Sequence, residues 1–371
     1  MIRSLNGNIK NILGWTTKRK IVVFSVDDYG NIRLASKQAR LKLGEAGIGI
    51  NDYRFDKFDG LENAKDLTNL FEALSSVKDL NGRSAVFTPF ANVANIDFDA
   101  IKKRDYDTYS YELLPDTLSK LPGYEGTWDL WKEGISSKIF IPQFHGREHL
   151  NLKLFNELLA KRNTLLMACL ENKSFTGLPL TFYKTINYNE TYCFDKFEEN
   201  QELAKQIKDG LTQFENVFGY KALNFNAPGA YEHEVLEEVL YECGIRYIDS
   251  IFIKNEHQGE GKYKKKLRYW GKKSKHNQRY LIRNCVFEPT LSSNDDMVDA
   301  CLLDIERAFR WNKPANISSH RINFNGVIDE DNGAKGIKSL KYLLQKIVTK
   351  WPDVEFMAAN ELGDIISSEG K

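Results

Sequence analysis

Residues 21–30 read IVVFSVDDYG. Five of the first six are apolar or aromatic, and Asp27 and Asp28 follow side by side. A run of that composition reads as a buried strand. Its two terminal carboxylates need a reason, because an unpaired charge is costly to bury. A turn or a helix cap is one such reason. Chemistry at a strand end is another.

Further apolar runs continue the pattern. Strands are expected at 20–27, 84–90, 138–144, 222–227, 246–253, 280–287, 315–320 and 354–358. Helices are expected at 65–77, 151–162, 200–218, 233–243, 296–311 and 335–350. The series Leu203, Ile207, Leu211, Phe214, Val217 follows helical spacing, and Gly219 and Gly244 stop two of these segments as C-terminal caps do. Alternating strands and helices imply parallel strands joined by crossover helices. Whether the sheet is open or closed into a barrel, its chemistry belongs at the C-terminal strand ends.

The bulk properties suit an ordinary globular enzyme-sized chain: 371 residues, 42% hydrophobic and 28% charged, with a net charge of +1. No global field points to nucleic acid, and none is expected as a partner. The first 20 residues hold no apolar run suited to a secretory signal or a membrane span. Cys169, Cys193, Cys243, Cys285 and Cys301 are scattered with no CxxC pair, and read as reduced core thiols. Both features lead to a cytoplasmic expectation.

Three stretches interrupt the alternation and are expected as rim insertions: 91–135, 172–198 and 254–279. The aromatic residues of 105–131 are candidates for stacking on sugar rings. The run 262–279 carries nine Lys or Arg with Tyr263, Tyr269 and Trp270 interleaved. It suits a polyanion such as an acidic glycan, a lipid-linked sugar diphosphate or nucleic acid, or else a solvated loop.

Of the six histidines, three fall at expected strand ends: His145 and His149 in HGREH, and His320 in ISSH. Two histidines four apart lie on one face of a helical turn and can share a metal ion. A carboxylate from another strand would complete an Asp-His-His set suited to zinc, and also to cobalt, nickel or iron. The second carboxylate of the pair would then be free to take a proton from water, and His320 to give one to a leaving group. Each motif alone has an ordinary structural reading; their joint occurrence at strand ends carries the inference.

In order and type, SVDDYG, HGREH, NAPGA and ISSH resemble the motifs of the polysaccharide deacetylases of the NodB-homology class, carbohydrate esterase family 4-like. DDYG is nearer to the first motif of the YdjC-like carbohydrate deacetylases, and VEFMAANELGDII resembles the family's last strand and helix. The resemblance implies an α/β fold, a distorted (β/α) barrel of about seven or eight mostly parallel strands, spanning 1–371 as one domain. It implies Asp27 as general base, Asp28, His145 and His149 as metal ligands, and His320 as general acid. Gly229 would help hold an oxyanion, with Asn226 and Tyr231 beside it. The implied activity is metal-dependent removal of N-acetyl or O-acetyl groups from a carbohydrate, such as a surface-glycan precursor.

The chain departs from that pattern at two places. Gly146 stands where Ser or Thr is usual, and Asn226 stands where an arginine normally pairs with the base. Arg147 and Arg321 are the candidate replacements. The missing arginine motivates a second reading, a carbohydrate-binding homologue without turnover, or a hydrolase of another C–N bond. HGREH also fits the H-x-x-E-H signature of certain metallopeptidases, with Glu148 as base. That motif needs a continuous helix, which Pro142 and Gly146 weaken, and it leaves Asp27, Asp28 and His320 without roles.

Overall fold

The computed structural model describes residues 8–49, 53–178, 186, 188–291 and 296–369. Nine parallel strands form its main sheet: β1 (Lys20–Tyr29), β2 (Phe87–Asn92), β3 (Gln143–Gly146), β4 (Asn224–Phe225), β5 (Tyr247–Ser250), β6 (Arg279–Ile282), β7 (Cys285–Val286), β8 (Ala315–His320) and β9 (Val354–Met357). The order across the sheet is β6-β5-β4-β3-β2-β1-β8-β7, with β9 on the first half of β1. The two edge strands, β6 and β7, are consecutive in the chain, and only Arg283 and Asn284 separate them. The sheet therefore curls into a distorted (β/α) barrel whose seam is crossed by two residues.

β1 lies at the centre because nothing in it resists burial. Ile21, Val22, Val23, Phe24 and Val26 are fully enclosed, each contributing about 1.5–3 kcal/mol. β8 flanks one side, with β9 and then β2 on the other. Helices expected from periodicity pack around the sheet as Ala64–Ser75, Leu152–Ala160, Asn200–Phe218, Asp296–Arg310 and Glu330–Lys350. The segment expected as helix 233–243 is instead a short 3-10 turn, Glu234–Leu236, followed by Glu237–Glu242.

Several expectations need correcting. The run 280–287 is not one strand but two, broken at Arg283 and Asn284. The stretch 91–135 is not a plain rim loop. It holds the hairpin Ala94–Ile96/Tyr111–Leu113 and the helices Phe98–Lys103, Leu114–Lys120 and Thr127–Ser136. Of its aromatic residues, Trp131 is fully buried against Tyr29, Phe140 and Phe218 and so belongs to the core. These helices are too short for a period to stand out. The stretch 254–279 opens with the hairpin Ile253–His257/Tyr263–Leu267, and Trp270 is fully buried. Part of its positive charge is spent on carboxylates: Lys266 on Glu234 and Glu256, Arg268 on Glu237, Lys275 on Glu234. Part of 172–198 lies outside the described residues.

The five thiols are all free, and all but Cys243 are buried. Among the described residues no helix is long and apolar enough to cross a membrane.

Candidate active site

Neighbouring residues of a strand point to opposite faces, so Asp27 and Asp28 reach one cleft only because β1 is irregular there. Its pairing with β2 shifts register between Val26 and Tyr29, and Asp28 takes a left-handed φ of 74°. Such a bulge re-aims a side chain at a strand end, and aspartate tolerates the left-handed region better than most residues. β3 repeats the device. Ala91 pairs with Phe144 and Asn92 with Gly146, so His145 is the extra residue. Gly146 has φ 152°, and a Cβ there would meet Asn92 Nδ2 and Glu148 O, each at 3.2 Å. The local backbone therefore calls for glycine where a hydroxyl residue was expected.

HGREH is not a helical turn. His145 is the penultimate residue of β3 and His149 sits in the following bend. The chain reversal, not helical spacing, brings the two rings to a centroid separation of 5.3 Å. Their Nε2 atoms lie 3.4 and 3.2 Å from Asp28 Oδ1. One ligand atom from each of Asp28, His145 and His149 lies within 4.8 Å of the others, and all three residues are buried.

The donor chemistry fits a divalent ion. His145 Nδ1 lies 2.7 Å from the Asn226 carbonyl, which only accepts, so Nδ1 carries the proton and Nε2 presents its lone pair. That Nε2 is buried with no hydrogen-bond partner. Burial pushes His149 below its ordinary pKa despite the neighbouring Asp28, which favours the neutral ligand form. Burial raises Asp28, but the two histidine rings beside it, first His145 and then His149, more than reverse this and hold its carboxyl well below the usual range.

Asp27 is paired after all, by a residue the motifs did not reveal. Arg283 donates from Nη1 to Oδ2 at 2.5 Å and from Nη2 to Oδ1 at 2.8 Å. Asn226 adds Nδ2 to Oδ1 at 3.1 Å. Burial drives the Asp27 carboxyl up, and Arg283, followed by His145 and His320, brings it below its ordinary value. Asp249, in the YIDSIF segment, holds the other side of Arg283 at 3.6 Å. Neither expected replacement takes this role. Arg147 binds Glu148 and Asp209, and Arg321 binds Asp59 and Glu62.

His320 ends β8. Its Nδ1 lies 2.5 Å from Glu288 Oε1 and its Nε2 3.9 Å from Asp27 Oδ2. Burial alone lowers its pKa, but Glu288 overcomes that and raises it to about 9. Glu288 is in turn held by Arg54 at 2.6 Å and by Asn323 Nδ2 at 2.7 Å. Glu288, like Arg283, was missed. The available signal was a charge interrupting the apolar run YLIRNCVFE, as at Asp27.

Asp27, Asp28, His145, His149, Arg283 and His320 line one cleft of about 380 Å³, with Asn226, Gly229 and Tyr231 in its wall. Gly229 has φ 78°, and Tyr231 stacks edge-on to Tyr263 of the hairpin at 5.4 Å. Glu148 is absent from the cleft lining. It is 1% exposed and held by Arg147 and Gln206, so the metallopeptidase base has no access to the site.

No known protein-family profile matches the chain, and no curated protein matches it. Among solved structures it is similar to a Mycobacterium smegmatis protein described as a polysaccharide deacetylase, at 11% identity and TM-score 0.45, over 96% of this chain and 94% of that one. It is similar to Puue allantoinase at 10% identity and TM-score 0.48, over 94% and 91% of the two chains. A family 4 carbohydrate esterase from Streptomyces lividans matches at 8% identity and TM-score 0.35, over 91% of each chain.

Proposed function

We propose that the protein is a metal-dependent hydrolase that removes acetyl groups, N-linked before O-linked, from a carbohydrate. The observation that supports this best is the meeting in one cleft of three units: an Asp28-His145-His149 ligand set, an Asp27–Arg283 pair and a His320–Glu288 pair. The motif resemblance supplies the substrate class. Asp28, His145 and His149 would hold the ion, zinc before cobalt, nickel or iron. A divalent ion so held supplies Lewis-acid polarisation of a carbonyl and a more acidic water.

The chain's own residues account for the proton traffic. Asp27, kept ionised by Arg283, takes the proton of the attacking water. Gly229, in the cleft wall, would help hold through its N–H the oxygen that gains charge as the carbonyl carbon becomes tetrahedral. His320, kept protonated by Glu288, gives its Nε2 proton to the departing nitrogen as the C–N bond breaks. Acetate and a free amine result. The non-catalytic reading rested on a missing arginine, and Arg283 removes that motive.

The test is metal content and acetate release from N-acetylated sugars, wild type beside His145→Ala. The expected result is about one ion per chain in the wild type, lost in the variant together with acetate release. A wild type that binds no divalent ion, or binds one and releases no acetate from a broad panel, overturns the reading.

A further inference from the structure

The cleft has a cation that the proposed reaction does not use. Arg33 lines it, only 4% exposed, on the wall formed with Phe55. Its backbone is pinned on both sides: Phe175 N–H donates to the Arg33 carbonyl at 2.6 Å, and Ile32 N–H donates to Asn95 Oδ1 at 2.7 Å. The guanidinium carbon lies 5.2 Å from the Phe55 ring centre and 6.0 Å from that of Phe175. Nε and Nη2 both reach Asp56 Oδ1, at 3.0 and 2.9 Å.

That pairing uses only one side of the guanidinium. Arginine has five N–H donors in a planar fork. The side-on fork of Nε and Nη2 is taken by Asp56. Nη1 has no hydrogen-bond partner among the described residues. The end-on fork, one Nη1 hydrogen and the outer Nη2 hydrogen, is left unused, as is the second Nη1 hydrogen.

Other cations near the cleft are committed. Arg283 spends Nη1 and Nη2 on Asp27, and Arg54 spends Nη1 on Glu288 and Thr290. The Phe55 ring also joins Arg33 to the chemistry, because it lies edge-on to the His320 ring at a centroid distance of 5.3 Å.

We infer that Arg33 is a specificity residue for a carboxylate carried by the substrate. This rests on the deacetylase reading for the identity of the reaction, but not for the binding itself. An end-on guanidinium fork matches the two oxygens of a carboxylate. Its immobilised backbone and side chain mean that little entropy is lost on binding. A single fork, with no lysine among the described residues lining the cleft, suits one negative charge. A phosphoryl dianion usually gathers more donors, and Asp27, Asp28 and Glu190 in the same cleft disfavour a second negative charge. The substrate class is therefore an acetylated sugar bearing an acid, such as a uronic acid or a carboxyalkyl ether.

The test is calorimetric titration of the full-length protein with three probes: N-acetylmuramic acid, neutral N-acetylglucosamine and N-acetylglucosamine 6-phosphate. The wild type is expected to prefer the carboxylic acid over the neutral sugar by about 10- to 100-fold. Arg33→Gln alone would orphan Asp56, so the working variant is Arg33→Gln with Asp56→Asn, which removes the buried pair together. In it the acid-to-neutral affinity ratio falls to about one. Arg33→Lys, which keeps the charge but loses the planar fork, falls between. A wild type that binds the acid no better than the neutral sugar overturns the inference, as does a preference unchanged in the double variant or a phosphate bound more tightly than the carboxylate. Acetate release is scored separately. An acid preference without turnover sinks the deacetylase reading and keeps the Arg33 assignment; turnover without preference does the reverse.

Discussion

Arg283 grips Asp27 across the seam of the barrel, with Nη1 2.5 Å from Oδ2 and Nη2 2.8 Å from Oδ1. The pair joins the end of the central strand to the two-residue step between the edge strands. It keeps a buried carboxylate ionised where the proposed reaction needs a base.

Arg283→Gln removes the largest influence that lowers the Asp27 pKa and leaves only His145 and His320 against burial, so the pKa rises. The acid limb of the pH–rate profile then moves toward neutrality, and acetate release at pH 7 falls by about 100-fold. The buried unpaired charge also costs about 3–5 kcal/mol of stability. Because the folded-state pKa is depressed in the wild type, the pair's stabilisation is present above the ordinary aspartate pKa and is lost as pH falls through the folded value. Rate profiles and urea unfolding from pH 3 to 8 measure both effects.

Glu288→Gln acts on the other limb. His320 has its pKa raised to about 9, so it is an acid through neutral pH and loses its proton as pH rises through that value. Its stabilising contribution is complete below the ordinary histidine pKa and vanishes over the same alkaline window. Without Glu288, only Asp28 and Asp27 oppose burial, and the pKa falls. Acetate release at pH 8 is expected to fall at least about ten-fold more than at pH 6. A profile whose alkaline limb does not move removes Glu288 from the mechanism.

Glu148→Gln separates hydrolase classes. Glu148 is enclosed with Arg147 and Gln206 and is absent from the cleft lining. Metal content and acetate release should stay near wild type, while stability drops by about 1–3 kcal/mol for a weakened buried network. Loss of all activity without unfolding would revive the metallopeptidase base.

Arg321→Met tests a structural cluster beneath the site. Arg321 is 1% exposed and binds Asp59 at 2.9 Å and Glu62 at 3.0 Å. Burial already raises these carboxyls to about 6 and about 7 in its presence. Removing the guanidinium is expected to cost about 3–5 kcal/mol at pH 7.5. The cost shrinks toward pH 5, where both acids protonate and no longer need a counter-charge. Chemical denaturation at the two pH values checks the sign.

The long amphipathic helix Asn200–Phe218 and the buried strand β1 were legible from periodicity and composition, because each has a face or a run that only burial explains. So was the proximity of Asp28 to His145, since parallel strands bring their C-terminal ends together whatever their order, whereas His149 joins them by a chain reversal and not by the helical spacing expected. The reason two adjacent aspartates share a cleft was not legible. It depends on a bulge set by pairing with β2. Nor was the partner of Asp27. Arg283 lies 256 residues away, and only closure of the sheet between β6 and β7 brings it alongside. Local order along the chain determined which groups stand at strand ends. Which acid meets which base, and hence which protons each holds, was decided by the curl of the barrel, because a pKa depends on neighbours in space.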